Sequence, residues 1–276
     1  MSCCVRVTDR AAIEAYYRAA GAAAHAYELG DLDDFFWPHT AWYALAGGGE
    51  APQHFRAMAL LYTATDLPIL LATTEREREA DTRTLLAALG PEALPRYVYA
   101  HLNPRVAYAL RPWYRRTSHG VHYKMALTLP ERLEAVGCGE TVRLTPDDAD
   151  EVEAFYRAAY PEGWIDLETL RTGQYVGVRD GRTGALGCVA GVHVYAPRQR
   201  VATLGNVATL PEARGKGFAT RACAALCRNL RAAGVEHVSL NVRTDNAPAL
   251  RAYEKIGFTR LALYEEFMLT KREVRG

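Results

Sequence analysis

Apolar and polar residues recur with two periods along the chain, and their order predicts an α/β (α+β) protein. In the second half, alternating or continuous apolar runs predict strands over 141–145, 174–179, 185–195, 201–209 and 236–242. Amphipathic stretches predict helices over 147–160, 162–170, 218–233 and 246–256. From residue 258 onward, two more strand-like runs are expected. Strands and helices in this order predict a mixed sheet with helices packed on it.

The first half of the chain gives a similar order of elements. Helices are expected over 11–30 and 75–89, with another that begins after Asn103. Strands are expected over 41–46, 55–63, 67–73, 96–102 and 120–129. The segment 130–140 contains two glycines and has no strong periodicity, which is typical of a boundary. We therefore predict two tandem mixed-sheet domains, residues 1–135 and 136–276.

Composition and charge narrow the class of protein. A chain of 276 residues with 49% hydrophobic and 24% charged residues is long enough for two globular domains. The net charge of +1 gives no general attraction to nucleic acid, so no nucleic-acid partner is expected. No apolar run spans a bilayer, and residues 1–6 lack the apolar core of a secretion signal, so we expect no membrane partner and a cytoplasmic location.

Cysteines and histidines do not predict a metal site. The six cysteines contain no C-x-x-C pair, and Cys223 and Cys227 lie four apart on one face of a predicted helix, which favours burial as small apolar residues. The histidines do not show the spacing of a metal-binding motif, and the pair His119-x-x-His122 has no third ligand near it in the sequence. The sequence therefore predicts no metal cofactor.

The most informative stretch runs over 204–220, where an apolar strand leads into a basic glycine loop and then a helix. Backbone N–H groups at such a helix N-terminus bind phosphate, and Arg214 and Lys216 add positive charge. Gly205 and Asn206 suggest an irregularity in the strand that would separate it from a neighbour. The loop lacks the Gly-Lys-Ser/Thr ending of nucleotide hydrolases. A phosphorylated ligand held locally is therefore expected.

The sequence Arg214-Gly215-Lys216-Gly217 resembles the signature of the GNAT superfamily of acyl-CoA-dependent N-acyltransferases, Gln/Arg-x-x-Gly-x-Gly/Ala. Glu212 stands at the first position of the signature, which is a departure from the family. A second resemblance lies over 246–258, where a helix opened by Asn carries an aromatic residue and ends in Gly-Phe. The strand leading into the loop resembles the branch of the superfamily that includes glycine N-acyltransferases, and that branch also carries an N-terminal domain of related fold. The first-half counterpart, residues 74–79, has no glycine and three carboxylates, which predicts a degenerate domain that does not bind CoA.

The resemblance implies acetyl-CoA as cosubstrate and assigns its contacts. Backbone groups would hold the pyrophosphate and the pantetheine arm, and one strand N–H would polarise the thioester carbonyl. These contacts fall on Val207, Ala208, Thr209, Arg214, Gly215, Lys216, Gly217, Phe218, Ala219, Thr220 and Asn246. Asn246 is equally explained as a plain N-cap, and the two roles are compatible. Tyr253 matches the family's general acid, with a core aromatic as the alternative.

The base that deprotonates the amine is harder to assign. Histidine side chains generally titrate in the required range, so His193 is a candidate, with a core or surface histidine as the alternative. Glu162 and Glu168 are further candidates. Asn206, at the expected irregularity, could orient a water. We therefore list Tyr253, His193 and Asn206 as candidate catalytic residues.

The function expected from these residues is transfer of an acetyl or other short acyl group to a primary amine of a small molecule or amino acid by direct attack. Two alternatives stay open. One is a non-catalytic acyl-CoA-binding or sensing protein, which Glu212 and the uncertain base favour. The other is a protein N-terminal acetyltransferase. The acceptor and the oligomeric state, monomer or homodimer, are left undetermined at this point.

Overall fold

A computed structural model describes residues 4–47, 55–161 and 167–273. Contacts between residues divide this part of the chain into two compact units. The N-terminal unit contains residues 4–123 together with 262–273, and the C-terminal unit contains residues 124–261. Each unit contains helices and strands of a mixed sheet, so the expected α/β class is confirmed.

The N-terminal unit begins with a sheet and its covering helices. Its elements are β1 (Cys4–Val7), α1 (Arg10–Gly21), α2 (Ala26–Gly30), β2 (Thr40–Ala46), β3 (Phe55–Tyr62), β4 (Ile69–Ala72), α3 (Glu79–Ala93), β5 (Tyr97–Leu102), α4 (Pro104–Ala107) and the first part of β6 (Tyr114–Leu127). Strands β1 to β4 pair antiparallel in sequence order, and β4 pairs parallel with β5.

The core of this unit includes the end of the chain. Alternation along β5 buries Val98, Ala100 and Leu102 in one cluster with leucines of α3. The last strand, β12 (Phe258–Lys271), pairs antiparallel with β5 from Glu265 opposite Leu102 to Thr270 opposite Tyr97. Phe267 and Leu269 of β12 are buried in the same cluster. The N-terminal unit is therefore completed by the C-terminal strand.

The C-terminal unit carries the glycine loop. Its elements are β7 (Thr141–Leu144), α5 (Ala149–Ala159), β8 (Tyr175–Arg179), β9 (Leu186–Ala196), β10 (Val201–Thr209), α6 (Phe218–Ala232), β11 (His237–Arg243), α7 (Ala247–Lys255) and the adjoining parts of β6 and β12. Strands β7 to β10 pair antiparallel in order, and β10 pairs parallel with β11. Helix α6 packs on β8, β9 and β10 and buries Cys223 and Cys227, as expected.

Several sequence expectations are corrected by the structure. The helix expected over 11–30 is two helices, because α1 ends at Gly21, whose φ of 110° does not continue a helix. The two runs expected after residue 258 form the single strand β12, since 258–271 contains neither Gly nor Pro. The strand expected over 120–129 begins earlier, at Tyr114. Of the helix expected over 162–170, residues 162–166 lie outside the described residues, and a 3-10 helix covers Leu167–Thr172.

The division by contacts differs from the boundary expected at residues 135 and 136. Segment 130–140 lies inside the C-terminal unit, where Pro130–Ala135 is a 3-10 helix. Strands β6 and β12 each contribute residues to both units. Domains 1–135 and 136–276 stay a prediction. None of the helices in the described ranges has the length and apolarity needed to span a bilayer.

Candidate functional site

The glycine loop joins β10 to α6 through a 3-10 helix, Pro211–Ala213. Gly215 and Gly217 have φ values of 76° and 75°, which favour glycine over residues with a Cβ. A Cβ built on either glycine meets no atom within 4 Å, so open space lies in front of the loop. Glycine is therefore favoured at both positions by the backbone conformation and not by close packing of neighbouring atoms.

Helix α6 begins directly after Gly217, which is its N-cap in the left-handed conformation. The first N–H groups of a helix have no acceptor within the helix, and here the N–H of Arg221 is the one that bonds back to the Gly217 carbonyl, at 3.1 Å. The N–H groups of Phe218, Ala219 and Thr220 precede it. Together with the helix dipole, they give this end of α6 the chemistry of an anion cradle.

Basic side chains surround the cradle. Lys216 Nζ lies 3.5 Å from Asp180 Oδ2, and Arg214 Nε donates to the Thr209 carbonyl at 3.4 Å. Glu212, the departure from the signature, is exposed on the 3-10 helix. Its carboxylate is therefore solvated rather than turned into the core.

Arg221 is a cation that sequence reasoning missed. Its guanidinium lies over the Phe218 ring, 4.7 Å from the centroid, and Nη2 is 3.3 Å from Glu140 Oε2. Its Nε is buried and has no hydrogen-bond partner among the described residues. One helical turn after Gly217, Arg221 adds a third positive charge to this region.

Strand β10 is irregular where the sequence predicted it. Its parallel pairing with β11 runs from Val201 opposite His237 to Leu204 opposite Leu240. Its pairing with β9 passes from Gly205 opposite Gly191 directly to Ala208 opposite Val189. Asn206, between these stretches, has a φ of 53°. The expected irregularity is confirmed, and Val207, Ala208 and Thr209 follow it as half-buried residues.

Asn206 is the centre of a hydrogen-bond network. Its Oδ1 is 3.1 Å from His193 Nε2, and its Nδ2 donates to the Tyr175 hydroxyl at 2.7 Å. The Tyr156 hydroxyl donates to the Asn206 backbone carbonyl. Burial raises the pKa of Tyr156 well above its usual value, so this phenol stays protonated as a donor. The structure thus brings His193 and Asn206 together and adds Tyr156 and Tyr175, which no sequence pattern groups with them.

The His193 and Tyr175 rings of this network lie against two glycines that pair across neighbouring strands. A Cβ on Gly205 would lie 2.1 Å from His193 Cδ2, and one on Gly191 would lie 2.2 Å from Tyr175 Cε1. Gly191 and Gly205 are direct partners across β9 and β10. Both rings therefore rest against backbone that only glycine provides.

Helix α7 positions Asn246 and Tyr253. Asn246 Oδ1 accepts the Ala249 N–H at 3.2 Å, which is the N-cap interaction. Tyr253 is buried, 7% exposed, with its ring 6.0 Å from that of Phe258. Burial, with a smaller contribution from nearby cysteines, raises the pKa of Tyr253 well above its usual value. Its phenol therefore carries its proton at any physiological pH.

The structure also describes Glu168 and Cys188 and bears on metal binding. Glu168 is exposed and pairs with Arg171 at 3.0 Å, and Glu162 lies outside the described residues. Cys188 is buried, which raises its pKa to about 11, so its thiol is protonated at neutral pH. Among residues 4–47, 55–161 and 167–273, no group of three or more His, Cys, Asp or Glu side chains could hold a metal ion.

The first-half counterpart of the loop has a different structure. Residues Arg76–Arg78 form a 3-10 helix, and the Thr74 N–H donates to Asn103 Oδ1 at 2.8 Å. Glu75 lies 3.3 Å from His25 Nε2. A carboxylate therefore stands near the start of α3.

The N-terminal unit also contains a polar cluster that sequence reasoning missed. Glu266 Oε1 lies 3.6 Å from both His101 Nε2 and His122 Nε2, and it accepts the Tyr264 hydroxyl at 2.8 Å. The Tyr99 hydroxyl donates to the other carboxylate oxygen. Burial opposes the charge on Glu266, but these histidines and hydroxyls outweigh it and lower the pKa of the carboxyl.

Comparisons with known proteins agree with this geometry. Residues 145–258 match the family model described as "Acetyltransferase (GNAT) family". No curated protein sequence matches the chain. The matched segment contains the loop, the irregular strand and the whole of α7.

Solved structures resemble the whole chain. A Drosophila protein has 14% identity and a TM-score of 0.69, covering 98% of this chain and 99% of its own. A GCN5-related N-acetyltransferase from Sphaerobacter thermophilus has 15% identity and a TM-score of 0.60, covering 98% and 97%. A tandem GNAT protein from the clavulanic acid biosynthesis pathway has 16% identity and a TM-score of 0.59, covering 100% of both chains. At these identities the likeness shows the fold, and it confirms the tandem mixed-sheet architecture.

Proposed function

Residues 145–258 of this chain belong to the acetyltransferase (GNAT) family, and from that premise we propose that the protein transfers an acetyl or other short acyl group from acyl-CoA to a primary amine of a small molecule or amino acid. The observation that carries the proposal is the pair of glycines with positive φ, Gly215 and Gly217, at the N-terminus of the 15-residue helix α6. Open space in front of both glycines fits a bound pyrophosphate.

The residues around the cradle fit the rest of the donor. Lys216, Arg214 and Arg221 supply positive charge for the phosphates of CoA. Pairing between β10 and β11 stops at Leu204, so the edge of β10 from Val207 to Thr209 is the proposed place for the pantetheine arm. A backbone N–H in this stretch is the proposed donor to the thioester carbonyl, where it stabilises the charge that develops on oxygen.

Two side chains are proposed for the proton transfers. His193 accepts a proton from the substrate ammonium, and the neutral amine then attacks the thioester carbon. The new C–N bond forms as the C–S bond breaks, and the thiolate takes its proton from the Tyr253 phenol. The nitrogen of the new amide loses its surplus proton, and a proton returns to the Tyr253 phenolate, so the phenol is restored. The raised pKa of Tyr253 keeps this phenol protonated beforehand, but it also makes the proton harder to release to the thiolate.

A second candidate function, an acyl-CoA sensor without turnover, is favoured by one observation. Tyr253 is only 7% exposed, so its hydroxyl needs a path to the thiolate through the packed end of α7. A sensor would keep the cradle and bind acetyl-CoA without releasing its thiol.

Calorimetry and a thiol-release assay together test these proposals. Titration with acetyl-CoA should give one site per chain, because residues 74–79 present carboxylates instead of a glycine cradle. Thiol release with a panel of amines and amino acids should depend on both substrates. Absence of binding at millimolar acetyl-CoA contradicts the proposed function. Binding without release across the panel favours the sensor.

A further inference from the structure

His193 occupies an unusual position on β9, and this position suggests how it is oriented. The register between β9 and β10 passes from Thr203 opposite Val194 to Leu204 opposite Val192, so His193 is an extra residue in its strand. Its ring lies against Gly205, while the residue itself is exposed. A histidine in a strand irregularity, with one side of its ring on backbone, has a defined ring plane.

The neighbouring amide has a fixed direction. Asn206 Nδ2 donates to the Tyr175 hydroxyl at 2.7 Å, and the same hydroxyl shares a hydrogen bond of 2.7 Å with Thr169 Oγ1, in which either oxygen can be the donor. This leaves Asn206 Oδ1 facing His193 Nε2 at 3.1 Å. Because Oδ1 can only accept, the contact requires a proton on Nε2 of the histidine.

We propose that Asn206 and Tyr175 are positioning residues that hold neutral His193 as the Nε2–H tautomer, with the lone pair on Nδ1 as the proton acceptor for the substrate ammonium. This inference rests on the proposed function for the role of Nδ1, but the tautomer itself does not depend on it. Neither Asn206 nor Tyr175 transfers a proton to or from the substrate. Gly205 contributes by leaving room for the ring.

Two titratable groups that reach the network are phenols. Tyr156 reaches Asn206 from α5, and Tyr175 reaches it from β8. Burial raises the pKa of Tyr156, and Cys188 of β9 is likewise kept neutral by burial.

Nuclear magnetic resonance of the ¹⁵N-labelled full chain tests the tautomer without any substrate. The His193 signals are identified by their loss in His193→Gln, and the other histidines of the eight in the chain are internal controls. The expected result is a neutral ring with its proton on Nε2. A neutral ring with its proton on Nδ1 overturns the inference.

Asn206→Asp is the informative variant, since Asp keeps the shape, the acceptor oxygen and the tolerance of positive φ. A carboxylate at hydrogen-bond distance should raise the pKa of His193 by at least about one unit. The acid limb of the kcat/KM profile should move by the same amount, while the other histidines titrate as before. An unchanged His193 titration in a folded variant overturns the inference.

Tyr175→Phe provides the second, independent variant. Without the hydroxyl, the Asn206 amide loses the partner that sets its direction, so the tautomer preference of His193 should weaken although Asn206 is intact. If Tyr175→Phe keeps a tautomer preference of His193 as strong as in the wild type, Tyr175 does not position His193 through Asn206. Failure of the proposed function is recognised separately. The wild-type protein could show the expected His193 tautomer and still neither bind acetyl-CoA nor release the CoA thiol, which would contradict only the proposed function.

Discussion

At the scale of single residues, burial decides which groups keep their protons. Tyr156 and Tyr253 have raised pKa values because their surroundings disfavour the phenolate, so both are donors. Asn206 is neutral at every pH and directs its neighbours through hydrogen bonds alone. The candidate chemistry therefore depends on the His193 imidazole as the proton acceptor.

Tyr253→Phe should lower kcat by at least about 100-fold, since it removes the proposed proton donor but keeps the buried ring. Calorimetric affinity for CoA should be unchanged. Tyr114→Phe is the matched control, because Tyr114 is another buried tyrosine, whose hydroxyl bonds the carbonyls of Leu94 and Pro95 at 2.9 Å in the N-terminal unit. Equal losses of kcat in both variants would assign the effect to stability rather than catalysis.

Glu266→Gln should change the pH dependence of stability. The pKa of Glu266 is lower in the folded chain than its unfolded value of about 4.3, so its charge stabilises the folded state above that pH, and this contribution is lost as the pH falls through the folded pKa. Urea unfolding should therefore show a difference between wild type and variant that is large at pH 6 and shrinks toward pH 3.

The exposed Glu153, paired with Arg157 on α5, provides the control for this experiment. Glu153→Gln should have little effect at any pH. A difference for Glu266→Gln that stays constant with pH would contradict the stabilising role of its carboxylate.

At the scale of elements, the strand–loop–helix unit was predictable and the contacts across it were not. The bounds of β10 match the expectation, and α6 ends one residue earlier, because apolar periodicity and Gly217 are local signals. The contact of Tyr156 with Asn206 joins residues 50 positions apart, and no periodicity reports such a pair. For the same reason, the sequence pattern did not predict the pairing of Glu266 with His101.

Gly217→Val should weaken binding of CoA at least about tenfold, which corresponds to about 1.4 kcal/mol. Valine tolerates the positive φ at the N-cap of α6 poorly, and its side chain would enter the open space before the helix. Gly181→Val is the control, since Gly181 is exposed in the turn after β8. Calorimetry gives both affinities, and an unchanged affinity for Gly217→Val would remove the loop from the donor site.

At the scale of the whole molecule, strands β6 and β12 each contribute residues to both units. Residues 124–127 at the end of β6 belong to the C-terminal unit, and residues 262–271 of β12 belong to the N-terminal unit. The repeated order of elements was visible in the sequence. The contribution of β6 and β12 to both units was not visible there, because the partner of a strand is set by contacts between residues distant in sequence.

Cutting the chain between residues 135 and 136 should leave two fragments that do not fold alone. Fragment 1–135 lacks Phe267 and Leu269, which are buried in its core, and fragment 136–276 lacks residues 124–127. Circular dichroism and thermal unfolding of each fragment measure this. A cooperative transition in fragment 1–135 would contradict the need for β12 and would support independent domains at the predicted boundary.

The sharing of β12 also has a consequence for the order in which the protein matures during synthesis. A ribosome makes the chain from its N-terminus, and domains generally fold as they emerge. Here the first unit waits for the last strand, since β5 pairs with residues 265–270. The N-terminal unit therefore reaches its final form only after translation of the whole C-terminal unit, and a nascent chain stalled before residue 262 presents an unfinished sheet edge to chaperones.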